Sequence, residues 1–161
     1  MSTNLQFIKS ESADNVSSFT ITDIFSDSYD VYQVYVTGNG SSSVSSLAAE
    51  FLDSGGSDIA QGNYDTAIRR LDPSSTFSSP NTESANSFEY VYPSSTDNDF
   101  ASLITVYNPY ETEYTFATIQ SMSNQGSKAI AIAKSTTSAT GMKFYANQNY
   151  TPIVVSVFGV K

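Results

Sequence analysis

The chain has 161 residues, 39% hydrophobic and only 14% charged, with 11 Tyr, 10 Phe, no Trp and a net charge of −9 from 16 acids and 7 cations. So few Lys and Arg leave no cationic footprint for nucleic acid or for anionic lipid. With neither Cys nor His present, disulfides, thiolate nucleophiles, His- or Cys-type zinc sites and Ser-His-Asp triads are excluded.

Polarity comes mainly from Ser, Thr, Asn and Gln, a mix that suits short strands with hydroxyl-rich faces and loops. A chain of this length can bury a sizeable core, and a single domain over 1–161 is expected, with residues 1–14 as an N-terminal arm. "MSTNLQFIKSESADN" shows no basic region followed by an apolar stretch, hence no visible signal peptide. The longest apolar segments fall far short of the ~18 residues that a membrane span requires. A soluble protein made in a cytoplasm is expected.

Runs of period two recur along the chain, each stopped by turn residues. "VSSFTITDIF" (16–25) sets Phe19 and Ile21 on one face. "DSYDVYQVYVTGNG" (27–40) carries Tyr29, Val31, Gln33 and Tyr35 on one side and Tyr32, Val34 and Val36 on the other. It ends at Gly38-Asn39-Gly40, residues that accept positive φ. Such a strand is either buried between two layers or displays tyrosines to a ligand. Valines on both faces favour burial of Tyr29, Tyr32 and Tyr35, with hydroxyls reaching a partner at the edge.

"SSLAAEFLD" (45–53) aligns Leu47, Ala49 and Phe51 before breaking at Ser54-Gly55-Gly56. "NYDTAIRRL" (63–71) aligns Tyr64, Thr66 and Ile68 and stops at Asp72-Pro73. Residues 74–87 read as a long Ser/Asn/Pro loop. "FEYVYP" (88–93) alternates Phe88, Tyr90 and Tyr92. "DFASLITVY" (99–107), with Phe100, Ile104 and Val106, turns at "NPYETE" into "YTFATIQSM" (114–122), with Tyr114 and Phe116, as a hairpin. "KAIAIAK" (128–134) alternates Ala with Ile and is expected to point its small residues outward, with Lys protecting its ends. "GMKFYANQ" (141–148) sets Met142, Phe144 and Ala146 against Lys143 and Tyr145. "PIVVSVFGV" (152–160), apolar on both faces, is expected as a central strand.

About eight to ten strands at this spacing, without a convincing amphipathic helix, predict an all-β, antiparallel β-sandwich of jelly-roll-like form. "LAAEFL" and "TAIRRL" contain helix formers but are too short to stand as helices in water.

Each chemical candidate has a plainer structural reading. The cluster "DSGGSD", Asp53 to Asp58, offers oxygen ligands around glycines, yet lacks the alternating acids and distal Glu of a calcium loop, and reads as a β-turn. Glu50, Asp53, Asp65, Glu89 and Glu113 supply carboxylates for a glycosidase pair, which needs two held ~5–10 Å apart in a cleft; no pair stands out. Arg69-Arg70 sends one cation to each face of a strand, where Asp65 or Glu89 is a fitting partner. Asn15-Val16-Ser17 and Asn149-Tyr150-Thr151 match the glycosylation pattern but mean little without a secretory route. No residue is singled out as catalytic, and no metal or cofactor is called for.

Four segments carry a resemblance: "VSSFTITDIFSDSYDVYQVYVTG", "AEFLDSGGSDIAQGNYD", "VYNPYETEYTFATIQ" and "ATGMKFYANQNYTPIVVSVFGVK". Their Ser-rich strand with a "YD.Y.V...G" hairpin, Asp-Ser-Gly strand end, Tyr-Asn-Pro turn and aromatic-Gly-hydrophobic-Lys ending resemble small β-sandwich virion proteins of tailed bacteriophages, especially marine ones, known as capsid-decoration or tail-fibre proteins. The resemblance implies a non-enzymatic structural protein on the outer surface of a virion, binding major capsid or tail proteins and self-associating, with a trimer as the expected assembly. It transfers no site residues. The long loop at 74–87 departs from the pattern, and no heptads provide a trimerising shaft. The alternative is a receptor- or host-glycan-binding module of a tail fibre, reading through loops 54–63, 74–87 and 93–99. Acidity suits an outer face that must stay soluble.

Overall fold

The computed structural model describes residues 4–40, 47–71, 79–92, 99–123 and 125–161, with the side chains of 71 and 90–92 outside the description. It is an all-β antiparallel sandwich. The eleven strands are β1 (Leu5–Ala13), β2 (Val16–Ile21), β3 (Val31–Gly40), β4 (Leu47–Leu52), β5 (Tyr64–Leu71), β6 (Asn81–Ala85), β7 (Phe88–Tyr92), β8 (Asp99–Tyr107), β9 (Thr115–Met122), β10 (Gly126–Ala133) and β11 (Gly141–Val160).

Two layers share β11. Its second half pairs with β3 on one side and β1 on the other, closing a broad layer in the order β6-β5-β10-β9-β8-β3-β11-β1. Its first half, Gly141 to Tyr145, pairs with β2 and β4, and β4 pairs with β7, giving the small layer β7-β4-β11-β2. Register shifts between Tyr145 and Tyr150, and again between Tyr150 and Ile153, mark where β11 leaves one layer for the other. Strands that bend in this way are how sandwiches turn their corners.

The core fills the space between the layers. Phe19, Ile21, Tyr32, Val34, Val36, Phe51, Tyr64, Phe88, Ile104 and Phe144 are all buried, each at a position that alternation aims inward. Phe51, Tyr64 and Phe88 form one ring cluster, with centroids 5.1 Å apart for Phe51–Phe88 and 5.8 Å for Tyr64–Phe88. β11 is central over 153–160, as its two apolar faces predict.

Several expectations need correction. In β10 the alanines 129, 131 and 133 are buried while Ile130 is 55% exposed, the reverse of the expected orientation. β7 lies across β9 and β10, and its Phe88 belongs to the ring cluster, so small side chains must face it. β9 likewise buries Thr115, Ala117, Ile119 and Ser121 and leaves Phe116 exposed, as is Tyr114 just before the strand. Of the three tyrosines expected inside, Tyr32 is buried, Tyr29 is half-buried against the core and Tyr35 is 38% exposed. The loop expected over 74–87 contains β6, a polar strand held to β5 by backbone pairing; its 74–78 portion lies outside the described residues. Most of the segment expected as an N-terminal arm is β1, paired along β11.

Candidate interaction surface

Turn chemistry accounts for the acidic loop. Asp53 Oδ1 accepts from the backbone N–H of Gly55 at 2.8 Å and of Ser57 at 2.9 Å, and Gly56 takes φ +78°, which a residue without Cβ adopts at little cost. Asp58 Oδ1 accepts from Ala60 N at 3.0 Å and from the Tyr64 hydroxyl at 2.7 Å. The Tyr64 oxygen in turn accepts from Phe51 N at 2.9 Å, tying β4, β5 and the 53–63 connection together. Burial, and then the bond to Asp58, drive the Tyr64 pKa strongly upward, so it stays a neutral donor. Both acids thus serve their own loop, the segment expected to read a glycan. No three metal-ligating side chains converge among the described residues.

The five candidate carboxylates are scattered. Glu50 lies on β4 with Lys143 Nζ 3.5 Å away, and the Tyr145 hydroxyl bonds to it and to Ser87. Burial pushes the Tyr145 pKa up to about 12, with Glu50 adding to the rise. Asp65 pairs with Lys134 at 2.8 Å on the far side of the broad layer. Glu89 and Glu113 are exposed on β7 and in the β8–β9 turn. Arg70 donates from Nε to Gln125 at 2.8 Å, while Arg69 points to the opposite face, as strand alternation requires. The two glycosylation-type asparagines meet, Asn149 Nδ2 donating to Asn15 Oδ1 at 2.9 Å.

The feature without an internal explanation is the outer face of the broad layer. No strand packs over it among the described residues, yet it is rich in large apolar groups. Phe7, Tyr35, Tyr107, Phe116, Met122 and Ile130 are all exposed here, Phe7 at 59% and Met122 at 68%. Register places them in cross-strand rows. One row runs Phe7, Phe158, Gln33, Thr105, Thr118, Ile130, Ala67; the next runs Ser10, Ser156, Tyr35, Leu103, Gln120, Lys128, Arg69.

The face has relief as well as composition. At the β1–β11–β3 side, Phe158 stacks edge-on with Phe7 at 5.7 Å and with Tyr35 at 5.6 Å, forming an aromatic ridge. At the other side a shallow groove of ≈ 450 Å³ runs over β5, β10 and β9 between Ala67, Arg69, Thr118, Gln120, Lys128 and Ile130. Acids are few: outward positions of the described strands from β11 to β5 carry Asp65, which Lys134 holds, and Asp99, which accepts from Asn39 Nδ2 at 2.8 Å. The sequence signal was available in β10, where the bulky member of each Ala-Ile pair is the one outside. Reading it required knowing which face the second layer covers.

No family model matches the chain, and no curated protein matches it. Among solved structures it is similar to sucrose-6-phosphate hydrolase from Lactobacillus gasseri, at 11% identity and TM-score 0.42 over 96% of this chain and 28% of that one. It is also similar to a toad ovary galectin in complex with thio-digalactose, at 9% identity and TM-score 0.40 over 87% and 98%. An exo-inulinase from Aspergillus awamori gives 10% identity and TM-score 0.41 over 98% and 29%. The chain therefore spans less than a third of either hydrolase. No TM-score among the three reaches 0.5.

Proposed function

We propose that this chain is a non-enzymatic structural protein of a bacteriophage particle, displayed on the particle surface as a capsid-decoration or fibre component and acting by protein–protein binding. The observation that carries the binding half is the outer face of the broad layer, where large aromatic and aliphatic side chains such as Phe7, Tyr35, Phe116, Met122 and Ile130 are exposed. Monomeric proteins seldom expose a large apolar patch without a use for it. The resemblance in the four sequence segments supplies the particle. Many copies on a lattice would make modest individual contacts effective, and an acidic exterior elsewhere keeps assembled particles from adhering to one another.

Gold-labelled antibody raised against the chain tests this on purified phage particles, with cryo-electron microscopy to place the label. Labelling of shell or tail is expected. A chain found in infected cells but absent from every particle fraction overturns the reading. Binding of the folded protein to a glycan array, at the loop ends of the sandwich, would move the assignment to the receptor-binding alternative.

A further inference from the structure

We infer that the groove over β5, β10 and β9 binds an extended acidic peptide segment of a partner protein, laid along the strands with a carboxylate between Arg69 and Lys128. The inference deepens the proposed function by giving its binding face an occupant, and it rests on that reading only for its biological setting.

The two cations stand where strand architecture gives no reason for them. Lys128 is directly opposite Arg69 in the β10–β5 ladder, and like charges at opposed positions weaken a sheet. Lysines often guard exposed sheet edges, but β10 is paired on both sides, with β5 and with β9. Lys9, Lys134 and Lys143 each lie against a carboxylate, whereas Lys128 meets no acid among the described residues.

The acids of this face are distant from that pair. Asp65, with Lys134 and Glu83 around it, is four residues along β5 from Arg69. Asp99, bonded to Asn39, is four residues along β8 from Leu103, the residue opposite Gln120. Four residues of strand span ~13 Å, more than the ~8 Å over which physiological salt screens exposed charges. The row Gln120, Lys128, Arg69 therefore keeps a local positive field within an acidic chain.

Relief sets the form of the occupant. A depression of ≈ 450 Å³ lies on the Ile130 and Ala67 side of the row and another of ≈ 310 Å³ on the Met122 and Gly126 side, both lined by Arg69, Gln120 and Lys128. Met122 and Ile130 stand 68% and 55% exposed at the two ends. Outward positions 130, 128 and 126 follow the two-residue period of a strand, so the trough runs along β10 as apolar, cationic, apolar. An extended segment has the same period, and its matching pattern is an apolar residue, an acid two residues on, and an apolar residue two further. Arg69 offers a fork to the carboxylate, Lys128 adds a point charge, and the Met122 thioether adapts to the neighbouring side chain. Two adjacent cations suit one carboxylate and are too few for a phosphate backbone or an anionic membrane. No aromatic ring lines either depression among the described residues. The Phe7–Phe158–Tyr35 ridge, on which a sugar could stack, lies at the other side of the face.

Nuclear magnetic resonance titration of the intact chain with the synthetic peptide SLSESLS tests the site. Amide shifts confined to β5, β9 and β10 are expected, with affinity falling as salt is added. Lys128→Glu and Arg69→Glu, both at exposed positions, are each expected to weaken binding about tenfold with unchanged circular dichroism. Combined, they are expected to make the chain prefer SLSKSLS. Lys161→Glu, the same change in net charge at the end of β11, is expected to leave binding as it was. Absence of shifts at the groove, equal losses from Lys161→Glu and Lys128→Glu, or a doubly reversed chain that still prefers SLSESLS would each overturn the inference. Displacement of the peptide by polygalacturonate would also overturn it, making the occupant an acidic glycan. Peptide binding by a chain absent from particles would sink the virion reading and spare the groove; a particle-borne chain that leaves the peptide unbound would do the reverse.

Discussion

β3 and β10 belong to the same layer, separated by β8 and β9, and they distribute bulk in opposite directions. β3 turns Tyr32, Val34 and Val36 inward, whereas β10 turns alanines inward and Ile130 and Ile132 outward. What differs is the material opposite. Phe25 meets Tyr32 at 4.9 Å and Tyr29 meets it at 5.7 Å, so large groups there interlock. β10 lies beneath β7, whose Phe88 belongs to the ring cluster with Phe51 and Tyr64. Interiors pack to near-crystalline density, so bulk on one side demands its absence on the other. Side-chain size along a strand therefore reports on the facing layer, and hydrophobicity alone does not say which face is inside.

The largest way to break this complementarity is to empty the aromatic side of it. Phe88→Ala removes a fully buried ring and should cost about 3–5 kcal/mol, read as a lowered urea midpoint with an unchanged slope. The converse fills the small side. Ala131→Leu forces extra methylenes against the cluster from a position 2% exposed, and about 1–3 kcal/mol of destabilisation is expected. The same bulk added at the outward Ala67 should leave stability within about 0.5 kcal/mol, because nothing lies above it to be displaced. If Ala131→Leu and Ala67→Leu behave alike, the account of β10 is wrong.

Much of the sandwich was legible in the sequence for a definite reason. Alternation reports burial wherever one face is strongly apolar, as at Phe19 and Ile21 or at Tyr64, Thr66 and Ile68, and turn residues mark the ends. β6 escaped because "NTESA" is polar on both faces and is held only by its backbone ladder to β5. β1 escaped because Leu5 and Phe7 are exposed on the outer face and so mimic a loose arm, while only Ile8 and Ala13 pack partly against the core. The sequence predicts two strands where β11 is one, since "NQNYTP" looks like a turn; the register does shift there, but pairing resumes from Tyr150 onward. The candidate surface was least legible, because alternation says that two faces differ and is silent about which one a second layer covers. One motif did acquire a physical meaning. A Cβ at Gly159 would sit 2.6 Å from the Tyr29 ring, so the glycine of the chain's ending is the seat for the tyrosine that opens the "YD.Y.V" stretch.

The two tyrosines of β3 sharpen the comparison on a finer scale. Tyr32 is buried, with its hydroxyl donating to Ser26 O at 2.8 Å and accepting from Ser26 N at 2.9 Å. Tyr35 has its hydroxyl donating to Gln33 Oε1 at 2.9 Å on the outer face. Tyr32→Phe strips both partners from a backbone group with little access to water and should cost about 1–2 kcal/mol. Tyr35→Phe gives up a bond that water replaces, and thermal unfolding should barely move. Equal losses in the two variants would mean that the outer face is covered even in the isolated chain.

The smallest effect belongs to the ion pair at the rim of the open face, and there the sign of the pH dependence distinguishes the partners. Lys134 and the Ser84 N–H hold Asp65 below its ordinary value of 3.8, while Asp65 raises Lys134 above 10.5. A depressed carboxylate contributes stability that is complete above its unfolded pKa and fades as pH falls through the folded one. A raised ammonium contributes stability that is complete below its unfolded pKa and fades as pH rises through the folded one. Lys134→Met should therefore destabilise slightly and evenly across the neutral range, and converge on the parent chain below the carboxylate range and above the lysine range. Both groups meet solvent, so added salt should shrink the difference. If the variant diverges further from the parent at acid pH, Asp65 is being held by something other than Lys134.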